Sequence, residues 1–384
     1  MKRSIAVFST RARSFSTFTS EIRAPKSEIP LPSPTILPVP HEEHSSTGSS
    51  PISIRDVAAT AGVSIATVSR VINDSPAVAQ STAAKVREVI TRLGYVPNPM
   101  AKVFSSRESH IIGLALPRFH GEFMTWLLHG ADEEATKLGY HLMMTTIAKS
   151  EDGSARSHIV GSLLIDALLV VITEQDDPLA EDVLASGVPT VVLDTDMSRQ
   201  GLDSVILDNE RGTREAVDHL LRWVEPSSLY FVGGPQQNFD TQQRSKGFVS
   251  ALEARGWKVT PDQIEMGDYS IEWGKEWAIR MSRRGKLSGA VLAANDKIAC
   301  GIMHAAGDLK VAVPDQLRVI GFNDSQISRL VRPRLSTVAL PMAEMGALAV
   351  RTLVRRIEHP NAEVHCAKLP TKLLIRESST AVHF

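Results

Sequence analysis

The chain has 384 residues, 43% hydrophobic and 22% charged, which excludes fibrous, collagen-like and wholly disordered readings and suffices for two or three domains with sizeable cores. Its net charge of −1 is unevenly spread, since residues 1–107 hold 13 Lys and Arg against 7 Asp and Glu, while residues 108–384 hold 29 against 36. A basic head on an acidic body points to a polyanion, most simply nucleic acid, as the partner of the head.

Residues 1–50 are rich in Ser, Thr and Pro, have neither helical nor strand periodicity, and are expected to be a disordered extension. The first 20 residues carry Lys2, Arg3, Arg11 and Arg13 and no acid, as organelle transit peptides do, but a mis-assigned translation start or a plain flexible tail is the expected reading; no secretory apolar segment is evident. From Ser53 the pattern becomes helical. Ser53 and Asp56 form a capping pair, Ile54, Val57, Ala58 and Ala61 share one face, and Gly62 ends the helix. Ser64 can cap a second helix over 65–73. A third runs to about Leu93, with Val86, Val89, Ile90 and Leu93 in line and Gly94 as its stop. Asn98 and Pro99 can open a fourth helix, which at barely two turns needs a partner to stay folded.

Beyond residue 110, apolar strand candidates alternate with amphipathic helices. The strands are expected over 111–116, 142–147, 167–172, 190–193, 229–232, 290–293 and 318–321, with helices over 124–138, 210–223, 248–255 and 298–309. Such alternation predicts parallel sheets covered by helices, with ligands at the carboxyl ends of the strands. The longest apolar runs are far too short to span a bilayer. The two cysteines, Cys300 and Cys366, lack the neighbours of a disulfide framework or zinc site and suit a reducing compartment. The chain offers no nucleophile elbow, phosphate loop or dinucleotide fingerprint, and His41-Glu42-Glu43-His44 has the wrong spacing for a zinc helix, so no metal or cofactor is expected.

The helix pair carries the most information. On the second helix Val68, Val71 and Ile72 point to a core, while Ile65, Ala66, Ser69, Arg70 and Asn73 share the opposite face. A helix-turn-helix places such a face in the major groove, where Arg can pair bidentately with guanine and small apolar groups can touch thymine methyls. Ser64, Thr67, Ser69 and Asn73 suit phosphates. An ordinary three-helix packing unit remains the alternative on spacing alone.

The run "ISIRDVAATAGVSIATVSRVIND", followed by "VREVITRLGYVPNPMAK", resembles the DNA-binding head of the LacI family of bacterial transcription regulators. The resemblance extends to about Ser378 through "IIGLALP", "VPTVVLD", "ILDNERGT", "GGP" with Arg244 and Gly247-Phe248, "AANDKIACGI", "VIGFND" and "RPRLSTVALP". It implies an N-terminal all-α helix-turn-helix head over 51–97 and a hinge helix over 98–107. A two-lobed α/β body of the type I periplasmic-binding-protein fold, with parallel sheets, would follow over 108–384. It also implies that Ile65, Ala66 and Arg70 read bases and that Asn98, Ala101 and Phe104 lie on the hinge helix. Phe104 stands where the family usually has a leucine wedge, and Ala77 and Ala79 omit side chains that the family often uses, so the operator sequence does not transfer.

By the same resemblance, His120, Phe123, Asp194, Arg244, Tyr269, Asn295 and Asn323 would line a ligand cleft. Carboxylate, amide and guanidinium groups beside an aromatic ring suit a polyol, and sugars are the family's commonest effectors. Asn323 replaces the family's common aspartate, which leaves Arg244 and His120 to admit an acidic or phosphorylated sugar; Asn295 or Asp296 could instead simply cap a helix. The expected function is a non-enzymatic, cytoplasmic, nucleoid-associated transcriptional regulator. It would be a repressor that binds a pseudo-palindromic operator as a homodimer, with affinity modulated by a sugar-like effector. No leucine heptad follows Ser378, so a dimer rather than a tetramer is expected. The rivals are a sugar-binding solute receptor and a sugar-converting enzyme on the same two-lobe frame.

Overall fold

The computed structural model describes residues 52–96, 109–116, 123–146, 148–149, 155–156, 165–175 and 177–380. The chain divides into two compact units, Met1–Val96 and Pro97–Phe384.

The first unit contains α1 (Ile54–Ala61), α2 (Ile65–Ile72) and α3 (Gln80–Leu93). The Asp56 carboxylate accepts from the Ser53 amide at 2.8 Å and from its hydroxyl at 2.7 Å, which fixes the start of α1. Gly62 ends it at φ 67°, and Val63 N–H reaches back to Ala58 O at 3.0 Å, a left-handed stop that leaves a three-residue turn before α2. Val57, Ala58, Ala61, Val68, Val71, Ala83, Val86 and Val89 form the small core, with Ile72 partly buried against it. Gly94 closes α3 as expected, at φ 64°.

In the second unit, β1 (Ile111–Leu116), β2 (His141–Thr146), β5 (Ala167–Val171), β6 (Thr190–Leu193), β7 (Asp203–Leu207) and β13 (Cys366–Leu369) make one parallel sheet, in the order β13-β7-β6-β5-β1-β2. A small antiparallel pair, β3 (Ala148–Lys149) and β4 (Ala155–Arg156), stands apart. The second sheet runs β14-β12-β11-β10-β8-β9, built from β8 (Leu229–Val232), β9 (Ile264–Glu265), β10 (Gly289–Ala293), β11 (Leu317–Asn323), β12 (Ser336–Ala339) and β14 (Lys372–Leu374); only the β12–β14 pairing is antiparallel. Interior strands such as β1 and β5 are unbroken apolar runs because helices bury both their faces, whereas the edge strand β2 is half-exposed and more polar.

The helices of this unit are α4 (Phe123–Lys137), α5 (Leu179–Ser186), α6 (Asn209–Leu220), α7 (Phe239–Glu253), α8 (Ile271–Arg283), α9 (Asp296–Asp308), α10 (Gln326–Leu330) and α11 (Met342–Glu358). Helices α4 and α11 pack together over the first sheet, while α6 packs on α7 and α8 on α9 over the second. The chain passes between the sheets three times, after β7, after β12 and after β13.

Two expected helix bounds move by three residues or more. Helix α7 starts at Phe239, nine residues ahead of the expected 248, because its first turns carry inward polar groups, Thr241 and Arg244, rather than an apolar stripe. Helix α6 stops at Leu220, three residues short of the expected end. Among the described residues no helix is long and apolar enough to cross a membrane.

Candidate nucleic-acid interface and ligand cleft

The predicted reading face is assembled on α2. Ser64 caps the helix, accepting from Thr67 N–H at 3.1 Å, and its hydroxyl meets that of Thr67 at 2.9 Å. Val68 and Val71 are inside, which turns Ile65, Ala66, Arg70 and Asn73 outward as exposed residues and leaves Thr67 and Ser69 half-buried. Ile65 is 46% exposed and adds a large apolar group to this mostly polar face. The Arg70 guanidinium forms no ion pair or hydrogen bond with any described residue, so its donors are free for a ligand. Below the face, Asp74 at φ 49° turns the chain, and Arg87 of α3 donates to its carboxylate at 2.7 Å. Asn98, Ala101 and Phe104 lie outside the described residues.

In the body, the predicted ligand residues sort into two places. Asp194 follows β6, Arg244 lies on α7, Tyr269 precedes α8 and Asn295 precedes α9, all near the carboxyl ends of strands. Arg244 is 2% exposed and held on three sides: Nε donates to Asn209 Oδ1 at 2.8 Å, Nη1 to Ala294 O at 2.7 Å and Nη2 to Asp240 Oδ2 at 2.7 Å. Its plane lies 4.5 Å from the centre of the Phe322 ring. The Tyr269 hydroxyl donates to Asn238 Oδ1 at 2.6 Å and lies 2.6 Å from Thr241 Oγ1; burial pushes its pKa up to about 12. Its ring lies so close over Gly234 that a Cβ there would sit 2.3 Å from a ring carbon, which is why the "GGP" turn needs glycine.

Asn295 is taken up by the frame. Its Oδ1 caps α9 by accepting from Ile298 N–H at 2.8 Å, and its Nδ2 donates to Tyr269 O at 3.2 Å. Asp296 is buried as well, and accepts from Thr337 Oγ1 at 2.6 Å and from the Ser325 amide and hydroxyl at 2.7 and 2.8 Å; burial raises its pKa to about 7. Asp194 differs from all of these. It is half-buried, its backbone is left-handed at φ 73°, and its carboxylate accepts no hydrogen bond from a described residue.

Asn323 lines a separate groove of about 490 Å³ with Trp126, Gln326, Arg329, Leu340 and Glu344, and none of Asp194, Arg244, Tyr269 or Asn295 borders it. Beside it Asp324 accepts from Arg329, Arg376 and Ser328, which anchors the β11 end. The expectation that Arg244 is available to an anionic sugar is corrected here, because Asp240 neutralises it at 2.7 Å. His120 and the side chain of Phe123 lie outside the described residues. Asp240, Asn209, Asn238 and Thr241 escaped the sequence reading, although the four-residue spacing of Asp240 and Arg244 on one helix was a readable sign.

A three-helix unit with an exposed reading face, joined in one chain to two parallel-sheet lobes with a polar seam, defines a ligand-responsive DNA-binding regulator. Residues 53–98 match the family model for bacterial regulatory proteins of the lacI family, and residues 227–379 match that for a periplasmic binding protein-like domain. The chain is 30% identical over 331 residues to catabolite control protein A of Priestia megaterium, covering 85% of this chain and 99% of the relative. It is 30% identical to the transcriptional regulator DegA of Bacillus subtilis, covering 86% and 98% respectively. A lac repressor dimer bound to operator and the anti-inducer ONPF superposes with a TM-score of 0.73 at 25% identity, covering 86% of this chain and all of that one. The regulator CelR in complex with cellobiose superposes at 0.63 with 27% identity, covering 85% and 99%. The chain therefore belongs to the LacI family, and it is a DNA-binding transcription regulator rather than an enzyme.

Proposed function

We propose that the protein is a repressor that binds a pseudo-palindromic operator as a homodimer and releases or grips it according to a sugar or sugar derivative held between its lobes. The observation that carries the reading side is the free Arg70 guanidinium beside exposed Ile65 and Ala66 on α2. Arg70 is assigned to a guanine edge, Ile65 and Ala66 to base methyls, and Ser64, Thr67, Ser69 and Asn73 to phosphates. Residues 51–97 are assigned as the reading domain, 98–107 as the hinge with Asn98, Ala101 and Phe104 toward the minor groove, and 108–384 as the effector and dimer domain. Residues 1–50 are left as an extension without part in either activity.

On the ligand side Asp194 supplies an acceptor that no described side chain satisfies, Tyr269 offers a ring face, and Arg244 acts by holding Asp240 and Asn209 in place. Lac repressor with operator and CelR with cellobiose are relatives of the fold that carry such partners, which supports DNA and a sugar here. A cytoplasmic, nucleoid-associated location follows from this role. Selection of genomic fragments by the purified full chain, with and without a pool of sugars at about 0.15 M salt, tests the reading. Enrichment of a pseudo-palindrome that the pool alters bears it out; no enrichment under either condition overturns it.

A further inference from the structure

The chain enters the body through Ser109 and His110, the first residues described after the α1–α3 unit. Neither belongs to a strand, since β1 pairs with β2 only from Ile111 and with β5 only from Ile112. Both are held by one side chain, that of Asp166, which directly precedes β5. Its Oδ1 accepts from the Ser109 amide at 2.6 Å and from the Ser109 hydroxyl at 2.7 Å, and its Oδ2 accepts from the His110 amide at 2.7 Å. Charge-assisted bonds of this length are the strong ones, and both oxygens are used. The main chain closes the knot, because Asp166 N–H donates to Ile111 O at 2.9 Å and Ile111 N–H donates to Ser109 Oγ at 3.1 Å.

His110 is held against its own preference. Its backbone is left-handed at φ 53°, a region that a residue with a side chain enters at a cost. It is kept there by the Asp166 bond on its amide, by His141 N–H donating to its carbonyl at 2.8 Å, and by its ring on that of Tyr140, centroids 5.7 Å apart. The second sheet supplies the contrast. There β8 and β10 hold the places of β1 and β5, and Leu229 pairs with Ala290 as Ile112 pairs with Ala167. The residue before Ala290 is Gly289, so no side chain stands in the place of Asp166 where the chain arrives from α6 and not from the reading unit. A Cβ at Gly289 would meet Ser228 O at 2.3 Å, so that entry is packed main chain on main chain.

We propose that Asp166 is a positioning residue for operator binding, whose carboxylate fixes the point at which the tether to the DNA-reading unit leaves the body. A dimer reads two half-sites at one spacing only if each head is held at a defined reach. That reach grows with the number of free residues between head and body, each adding up to about 3.3–3.6 Å of chain. Loss of the clamp frees Ser109 and His110 and so lengthens each tether by two residues. The heads then reach wrong spacings more readily, and the true spacing loses part of its advantage. The inference rests on the reading of a dimer on a pseudo-palindrome and adds to it the residue that sets the spacing.

The test uses the full chain and two duplexes: the pseudo-palindromic fragment recovered by selection, and the same fragment with one base pair inserted at its centre. The wild type should bind the first far more tightly. In Asp166→Asn, which sets an amide donor against a backbone donor, that preference should fall by about tenfold, while affinity for a single half-site stays as in the wild type. Ser109→Ala removes one of the three donors and keeps both backbone amides, so it should fall between the two, and it carries the test where Asp166→Asn fails to fold. Asp203→Asn loosens the same sheet at β7, two strands from β5, and should lower thermal stability without changing the preference. Hydrogen exchange at the Ser109 and His110 amides should be faster in Asp166→Asn than in the wild type. Unchanged exchange, an unchanged preference in both clamp variants, or an equal fall in Asp203→Asn would overturn the proposal. A wild type indifferent to the inserted pair would overturn the dimeric reading instead.

Discussion

Asp240 and Arg244, one helical turn apart on α7, are joined at 2.7 Å, and the pair is nearly closed off from solvent, with side chains 18% and 3% exposed. The guanidinium is thus a brace for Asp240, Asn209 and the Ala294 carbonyl. Arg244→Ala strands all three acceptors, and urea unfolding should report a loss of about 3–5 kcal/mol, the range for breaking a buried ion pair from one side. Arg244→Lys keeps the charge without the fork and should recover only part of that loss. Equal stability of Arg244→Ala and wild type would reassign the brace.

The Arg70 guanidinium bonds no described residue, so its removal separates reading from folding. Arg70→Ala should leave thermal unfolding unchanged, weaken the specific site by about 1–3 kcal/mol, and relax one base position. Binding isotherms on all four variants of that base pair decide the matter; undiminished discrimination removes the role.

Gly62 holds a backbone angle of φ 67° at the turn between α1 and α2. Gly62→Ala should cost about 1–2 kcal/mol, the penalty of a Cβ in the left-handed region. Because the head core is small, its melting, followed by calorimetry of the full chain, should separate from that of the body.

The β11 end should be acid-sensitive through Asp324. Burial alone would raise its carboxyl, but hydrogen bonds from Arg329 and Arg376 outweigh this and hold it below the usual carboxylate range. A depressed carboxyl stabilises the fold above its ordinary value and loses that contribution as pH falls through the folded value. Wild type should therefore lose more stability than Asp324→Asn between pH 5 and strongly acidic conditions, and parallel acid titrations would count against the anchor.

Much of the frame could be read from the sequence because its signals are local. Strands β1, β6 and β8 fall on the expected residues, since each is an apolar run bounded by polar or turn residues. The capping pair of Ser53 with Asp56 and the stops at Gly62 and Gly94 were legible for the same reason. What escaped depends on distant partners. Strand β7 opens on Asp203, a polar residue that reads as a turn until Arg356 and His365, more than 150 positions later, satisfy its carboxylate at 2.7 and 2.8 Å. Strands β13 and β14 are three or four residues long and owe their state to β7 and β12. At the seam, Asp194 and Arg244 were identified individually, but spacing alone did not show that Asp240 had already claimed the guanidinium.

The three passages between lobes also set the order in which this protein can be made. Neither sheet is a continuous stretch of chain, since β13 completes the first only at Leu369 and β14 the second only at Leu374. During synthesis the three-helix unit, finished by residue 93, can fold while the body is barely begun. Both lobes must wait, with unpaired edges, until β13 and β14 have been translated. A premature stop shortly ahead of β13 would therefore damage the two lobes together and leave the three-helix unit folded, a reading head cut off from the part of the chain that pairs it and answers an effector.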